Sequence, residues 1–444
     1  MPERSEVPEG WEWVTLPQVA DICMGQSPPG SSYNEEGIGL PFFQGKADFT
    51  DYHPTIRVYC TEPKKIVKPG AILISVRAPV GPTNVADRVC TIGRGLAGLT
   101  PLAGVPTNYI LYNLRYKEPE IALWGTGSTF TAINKGHLES IELLLPPLAE
   151  QHRIVAAIEA LFARLDAANA RLERVPGILK QFRQAVLAAA CDGRLTEDWR
   201  AGSPQDWLEC KVVDIAQVKV GGTPSRKKPQ FWNGTIPWVS SGEVANNHIH
   251  STREHITELG LENSNAKIYP KGTILIAMIG EGKTRGQSAY LEIEACTNQN
   301  VAGIVPDIQK ITSDFLWYWS LSKYEDHRKA GRGGEQPALN KKIISEMQLS
   351  LPPLPEQNEI VRRVEALLAL TDRIEAEVAA ARAKTETMRQ SILAQAFSGR
   401  LVPTEAGLAR REGREYEPAS VLLERIHSEK KEKTGRRGTQ STLV

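Results

Sequence analysis

LPPLAEQHRIV, beginning at Leu145, returns as LPPLPEQNEIV at Leu351. The register then holds without a gap through QAVLAAACDGRL (Gln184 to Leu195) and QSILAQAFSGRL (Gln390 to Leu401). A repeat of this length decides the architecture before any motif is read. Two copies of one helical unit, 145–201 and 351–402, alternate with two larger segments, 1–144 and 202–350, and a tail follows from 403 to 444. The chain is a duplicated object with pseudo-twofold symmetry, suited to a target that comes in two halves.

Each repeat reads as a long helix with a seam. Apolar residues fall at Ile154, Ile158, Leu161, Leu165, Ala168, Leu172, Val175, Leu179, Phe182 and Val186, in alternating steps of four and three. That is the spacing with which one helix lays its side chains into another. The second copy keeps it at Ile360, Val364, Leu367, Ile374 and Val378, although Thr371 and Thr385 occupy two seam positions. Pro146-Pro147 and Pro352-Pro353 bar helix just before each start. Gly193 and Gly399 stand where a helix-ending glycine belongs. A helix of ~40 residues spans about 60 Å and cannot hide its stripe alone, so the two copies are expected to pack antiparallel. Pro176-Gly177 predicts a kink or break in the first copy only.

The larger segments are diverged relatives of each other. WEWVTLPQVADICMGQSP (from Trp11) matches WLECKVVDIAQVKVGGTP (from Trp207), and GAILISV (from Gly70) matches GTILIAM (from Gly272). CTIGRGLAGLTP (from Cys90) matches CTNQNVAGIVP (from Cys296), and the closings are AINK and ALNK. Short β-branched runs between Gly, Pro and Asn turns read as strands. NYILYNLRY and DFLWYWSLS read as buried helices. The scaffold positions agree while the polar loop residues differ, which is how one fold reads two ligands. The fold class expected is α+β: two pseudo-symmetric α/β recognition domains separated by two long helices packed as an antiparallel coiled coil.

Composition narrows the function. With 444 residues, 41% hydrophobic and 24% charged, the chain resembles ordinary soluble protein of about three domains. No apolar run approaches the ~20 residues of a membrane span, and the N-terminus has no apolar signal region. The six cysteines are scattered without a CxxC pair, which favours reduced thiols in a cytoplasm. Segment 1–148 carries 12 Lys and Arg against 15 Asp and Glu, and 201–354 carries 17 against 16. Neither half is a basic domain. Any DNA contact would run through local loops, with a partner supplying much of the phosphate neutralisation.

The motifs that suggest chemistry fail on context. AMIGEGKT (Ala277 to Thr284) has phosphate-loop spacing, but the residues after it do not read as the helix that would face the phosphates. GRGLAG (Gly93 to Gly98) matches a dinucleotide fingerprint by letter, yet LTPLAGVP cannot open its helix. His248, His250 and His255 lack a ligand pattern. No Asn/Asp-Pro-Pro-aromatic motif of an aminomethyltransferase is present, and no cofactor or metal is expected. What remains is recognition chemistry: Arg or Lys for guanine, Asn or Gln for adenine, Ser or Thr for phosphates. The first segment offers Gln26, Ser27, Gln44, Lys46, Arg77, Arg94, Thr126 and Ser128. The second offers Arg226, Lys227, Lys228, Ser240, Lys283, Thr284, Arg285, Asn298, Gln299 and Arg332.

On the doubled proline-linked EQ motif, the heptad helices with GRL endings and the INK/LNK closings, the chain resembles the specificity subunit of type I restriction–modification systems. The resemblance covers essentially the whole length. It implies that each large segment is a target-recognition domain reading one half of a split double-stranded DNA site. It also implies that the helices act as a spacer docking two methyltransferase subunits, with restriction subunits joining to make the nuclease, and that the chain itself is non-catalytic. Glu150, Gln151, Glu356 and Gln357 of the EQ motifs are then expected to contact those partners. The tail is expected to form a short helix and a disordered basic end. Two other readings stay open at this point: a self-contained DNA methyltransferase or ATPase with its own recognition domain, and a coiled-coil scaffold without DNA affinity.

Overall fold

The computed structural model describes residues 7–125, 132–201, 206–280, 283–329 and 339–440, and the structural statements below concern these. They form two compact units, Met1–Arg171 with Ala381–Val444, and Leu172–Ala380.

In the first unit the main sheet is built from β1 (Ala20–Met24), β3 (Ile72–Ser75), β4 (Thr83–Val85) and β6 (Leu96–Pro101), in the order β1-β6-β3-β4 and antiparallel throughout. A smaller sheet holds β2 (Leu40–Phe43) and β5 (Cys90–Ile92) side by side and parallel. The central strand β3 is apolar at three consecutive positions because both its faces are covered. Ile72 and Ile74 pack toward the helix Thr107–Trp124, while Leu73 faces Phe43, Ile92 and Leu96.

The second unit repeats the plan. Strands β7 (Ala216–Val220), β9 (Asn247–Ile249), β10 (Ile274–Ala277), β11 (Ser288–Leu291) and β13 (Val301–Pro306) order as β7-β13-β10-β11-β9. Strands β8 (Trp232–Val239) and β12 (Cys296–Thr297) form the parallel pair. On β10, Ile274 and Ile276 join one core and Leu275 and Ala277 the other, the period-two division of a strand buried on both faces. Both units close the same way. Asn134 caps the helix Lys135–Glu139 and Asn340 caps Lys341–Ser345, each accepting from the third residue beyond.

The repeats form the expected helices. The first consists of two pieces, Leu148–Leu172 and Val175–Cys191, with the break just before Pro176. A proline is accommodated in a first helical turn, where its missing N–H is not needed. The second runs unbroken over Leu354–Ala396. Gly193 and Gly399 both adopt positive φ, 82° and 73°. Within each unit the two helices run antiparallel. In the first unit Asp166 pairs with Arg389, and Asn169 accepts from the Thr385 hydroxyl at 2.8 Å. In the second, Arg183 holds Asp372 and Glu375 at 2.7 Å each, and Arg363 holds Asp198 at 2.6 Å. Ile154, Ile158, Ile360 and Val364 are fully buried; Leu161, Leu165, Leu172, Leu367, Ile374 and Val378 are half-buried.

Three expectations are corrected. Phe182 does not enter the seam: it is exposed, and Arg183 turns inward to meet the two carboxylates. The tail forms the expected helix, which buries Ala419, Leu422 and Ile426 in the core of the first unit, but the helix is longer than expected and continues through the basic residues to Gln440. The EQ residues do not face outward. Glu150, Gln151, Glu356 and Gln357 are all at most 1% exposed, and they are engaged inside the chain. The Trp11 indole donates to Glu150 at 3.1 Å and the Glu405 main-chain N–H donates to its other oxygen at 2.8 Å. Glu356 accepts from Trp207 at 3.0 Å and Thr196 at 2.6 Å, and pairs with Arg200 at 2.8 Å. Gln151 donates to the Pro146 carbonyl and Gln357 to the Pro352 and Lys310 carbonyls. A buried carboxylate without donors is costly, so evolution of a partner contact there would have to break these bonds.

Trp11→Phe keeps the ring packing but leaves one Glu150 oxygen short of a donor. It should lower the unfolding free energy by about 1–3 kcal/mol, read from thermal or denaturant unfolding, and Trp207→Phe should act alike through Glu356.

Candidate nucleic-acid interface

Because β2 and β5 are parallel, both deliver the residues after them to the same end of the first unit. Gln44 follows Phe43 and Arg94 follows Ile92. The ends of β1 and β3 arrive there too, tied by main-chain bonds. Gln26 N–H donates to Ile92 O at 3.0 Å, Gly93 N–H to Phe43 O at 2.8 Å, and Val76 N–H to Gly95 O at 2.9 Å. Gly25 and Gly95 are required by the crowding, since a Cβ would come within 2.1 Å of Gly93 O and 2.2 Å of Gln44 O respectively.

The result is a groove of 1070 Å³ lined by Ser27, Gln44, Lys46, Arg77 and Arg94, five of the residues expected from sequence to touch DNA. Gln26 is exposed beside Ser27. Thr126 and Ser128 lie outside the described residues. Gln44, Lys46, Arg77 and Arg94 are exposed. Sequence reasoning missed Tyr33, Asp48 and Ser75 in the same lining. Asp48 is the organiser of the loop: its carboxylate accepts from the Gln44 N–H at 2.8 Å and the Gly45 N–H at 3.4 Å. Its place four residues after Gln44 was the available signal.

The second unit reproduces the frame. Gly222 N–H donates to Thr297 O at 2.9 Å, Asn298 N–H to Val239 O at 3.0 Å, and Met278 N–H to Asn300 O at 2.8 Å. Glu243 takes the role of Asp48, accepting from the Ser240 N–H and hydroxyl at 2.9 Å each. Lys227, Lys228, Lys283 and Gln299 are exposed on loops of this unit and Thr284 is half-buried. Lys228 sits 5.1 Å from the Phe231 ring centre, and the Thr223 hydroxyl donates to Gln299.

Four candidates also make contacts inside the fold. Arg226 grips Glu254 and lies 3.7 Å above the Trp232 ring, and these hydrogen bonds to Glu254 hold its guanidinium proton more tightly than usual. Ser240 is bound to Glu243 as just described. Asn298 is buried and its side chain accepts from Asn300 N–H at 3.0 Å. Arg285 is half-buried and donates to the Arg328 carbonyl at 3.1 Å. Arg332 lies outside the described residues. Residues 283–286 form a turn leading into strand β11, so the GKT sequence does not open a phosphate-cradling helix. His248 packs its ring on Tyr290 at 5.0 Å and bonds Glu292 at 2.9 Å, in an aromatic cluster with Trp317. Among the described residues no helix is long and apolar enough to cross a membrane.

Comparison with known proteins places this geometry. A family model for the type I restriction modification DNA specificity domain matches twice, at residues 8–176 and 204–380. A putative type I restriction enzyme MjaX specificity subunit from Methanocaldococcus jannaschii is 43% identical over 42% of this chain, a match spanning 44% of that protein. The type I restriction enzyme EcoDI specificity subunit of Escherichia coli is 28% identical with 98% of both chains covered. The crystal structure of the HsdS subunit from Thermoanaerobacter tengcongensis shares the fold, with a TM-score of 0.61 at 19% identity over 90% of this chain and 99% of that one.

The two kinds of arginine separate experimentally. Arg94→Ala should leave stability within about 0.5 kcal/mol and weaken DNA binding by about 1–3 kcal/mol, relaxing one position if the contact is to a base edge. Lys46→Ala should lower the salt slope of binding by about one unit. Arg285→Ala should instead lower the melting temperature of the second unit. Titrations of the complex at several salt concentrations, with unfolding curves alongside, distinguish these outcomes.

Proposed function

The chain belongs to the type I restriction modification DNA specificity family, and from that premise we propose that it reads a bipartite double-stranded DNA target, one half-site per recognition domain. The observation that carries this reading is the duplicated hydrogen-bonded frame. Three main-chain bonds recur in both units with different side chains mounted on them: Gln44, Lys46 and Arg94 in one, Ser240 and Gln299 in the other. Side chains at base edges specify, and an identical frame with different side chains suits two different half-sites. The spacer helices set the distance between the half-sites. The chain does no chemistry itself in this reading; methylation comes from two methyltransferase subunits, with restriction subunits joining for cleavage.

The surface that suits those methyltransferase subunits is the outside of the spacer, in place of the buried EQ motifs. Ile178 and Phe182 lie one turn apart on the first spacer helix and are 60% and 38% exposed, with Leu370 of the second helix 40% exposed in the same unit. Apolar side chains standing out from a paired helix are the form of an interaction seam left for another helix.

Exchanging residues 1–144 for the matching segment of a relative should change one half-site and leave the other untouched, as read by mapping methylated bases. A change in both half-sites would defeat the one-domain, one-half-site assignment. Separately, Ile178→Asp with Phe182→Asp should leave the chain folded and weaken methyltransferase docking about 10- to 100-fold, measured by light scattering of the assembled complex.

A further inference from the structure

The two units differ in one respect that their common plan does not require. In the first, the segment Gly10 to Pro17 is covered by the tail helix. Ala419 N–H donates to Gly10 O at 2.9 Å, Lys430 Nζ donates to Pro17 O at 2.5 Å, and Ala419, Leu422 and Ile426 are buried between these anchors. Strand registers identify the matching segment of the second unit. Glu12 faces Leu145 as Leu208 faces Leu351, and Thr15 faces Glu142 as Lys211 faces Gln348. Gly10 therefore corresponds to Asp206 and Pro17 to Val213. No helix of this chain is described on that segment. Leu208 is 63% and Val213 57% exposed, and an apolar groove of 670 Å³ runs along it, lined by Leu208, Cys210, Ile215, Leu351 and Leu354 with Asp206 and Asp214 at its edge.

We infer that this groove is the seat of a basic amphipathic helix supplied by the methyltransferase partner, docked as the chain's own tail helix is docked on the first unit. The inference rests on the proposed assembly with that partner. The tail shows what fits: a small residue, then apolar residues three and seven positions on, then a lysine four beyond, the single-face spacing of a helix. Charge adds direction. Asp206, Glu209 and Asp214 stand where the first unit has Gly10, Trp13 and Gln18. Among the cations nearby, Lys310 is already engaged by Asp307 and by the Asp214 carbonyl, and Lys211 remains exposed. Three carboxylates stand against two exposed lysines, Lys211 and Lys310, and with Lys310 paired to Asp307 the balance favours a cationic guest. The guest does not come from a second copy of this chain, because its tail would have to abandon Ala419, Leu422 and Ile426 in its own core.

The test is hydrogen exchange of the full chain, alone and assembled with methyltransferase subunits, with assembly followed by light scattering and methylation. Residues 206–213 should exchange about tenfold more slowly in the complex. Leu208→Glu should weaken assembly about tenfold, while Leu259→Glu, at an exposed position elsewhere in the unit, should not. A complex that forms and methylates with exchange at 206–213 unchanged overturns the inference and leaves the assembly standing. Failure of any complex to form overturns both. Protection at 206–213 in the chain alone, rising with its concentration, assigns the groove to a second copy and overturns the partner's claim to it.

Discussion

The structure depends on burying one carboxylate at the start of each spacer helix. Glu150 and Glu356 are removed from water, a state that is unfavourable unless donors replace the lost hydration. Burial pushes the Glu150 carboxyl above its ordinary range, against the pull of the Glu405 main-chain N–H, the Trp11 indole and Arg153. Burial also opposes ionisation of Glu405, yet Arg153 and Arg414 together hold it below the ordinary value. The donors come from segments far apart in sequence: the opening strand of the recognition domain and the stretch that follows the other spacer helix. One side chain thus joins a domain, the helix that leaves it and the chain that returns to it. A carboxylate in a first helical turn is also favoured by the helix dipole, so the demands of the helix and of the clamp coincide.

Much of this was legible in the sequence. The repeat, the prolines and glycines that bound the helices, the break at Pro176 and the strand core of each domain all follow from local chemistry. The role of the EQ motif did not, because a polar pair near a helix start reads as surface until the tryptophan and the returning chain are seen to meet it. Phe182 and Arg183 were exchanged for a related reason. A heptad count places the apolar residue inward, but Asp372 and Glu375 across the seam make the arginine the better occupant, and that pairing is visible only in three dimensions. Arg226 stands out in sequence as a guanine-reading side chain type in a loop; its stacking on Trp232 and its pair with Glu254 are long-range facts that sequence does not show. The tail reads in sequence as a short helix with a disordered basic end; the helix carrying Ala419, Leu422 and Ile426 is there, and it runs on through the basic residues to Gln440.

The polar layer of the seam has a physical rationale of its own. Asn169 with Thr385, and Arg183 with its two acids, are weaker contributors to stability than leucines would be. They specify alignment instead, since sliding one helix by a turn would strand an arginine or an amide without its partner. Paired helices with few apolar seam residues at their middles take their register from such polar pairs. The fully apolar contacts, Ile154 and Ile158 in one unit and Ile360 and Val364 in the other, lie at the helix starts, where each domain's own core also grips them.

Three bonds that align the loops at the strand ends in each unit join main chain to main chain. Their geometry is indifferent to what Gln44, Lys46, Arg94 or Gln299 carries beyond the backbone, and the positions held to one kind of residue are the close-packed Gly25 and Gly95 and the loop-binding carboxylates Asp48 and Glu243. Replacing an exposed side chain on such a frame typically changes stability by no more than about 0.5 kcal/mol, so altered loops persist in populations as folded, testable variants. Heritable variation is thereby channelled into the exposed side chains of these loops. A lineage carrying this protein can drift from one target sequence to another, or borrow a whole reading segment, without crossing a valley of misfolded intermediates.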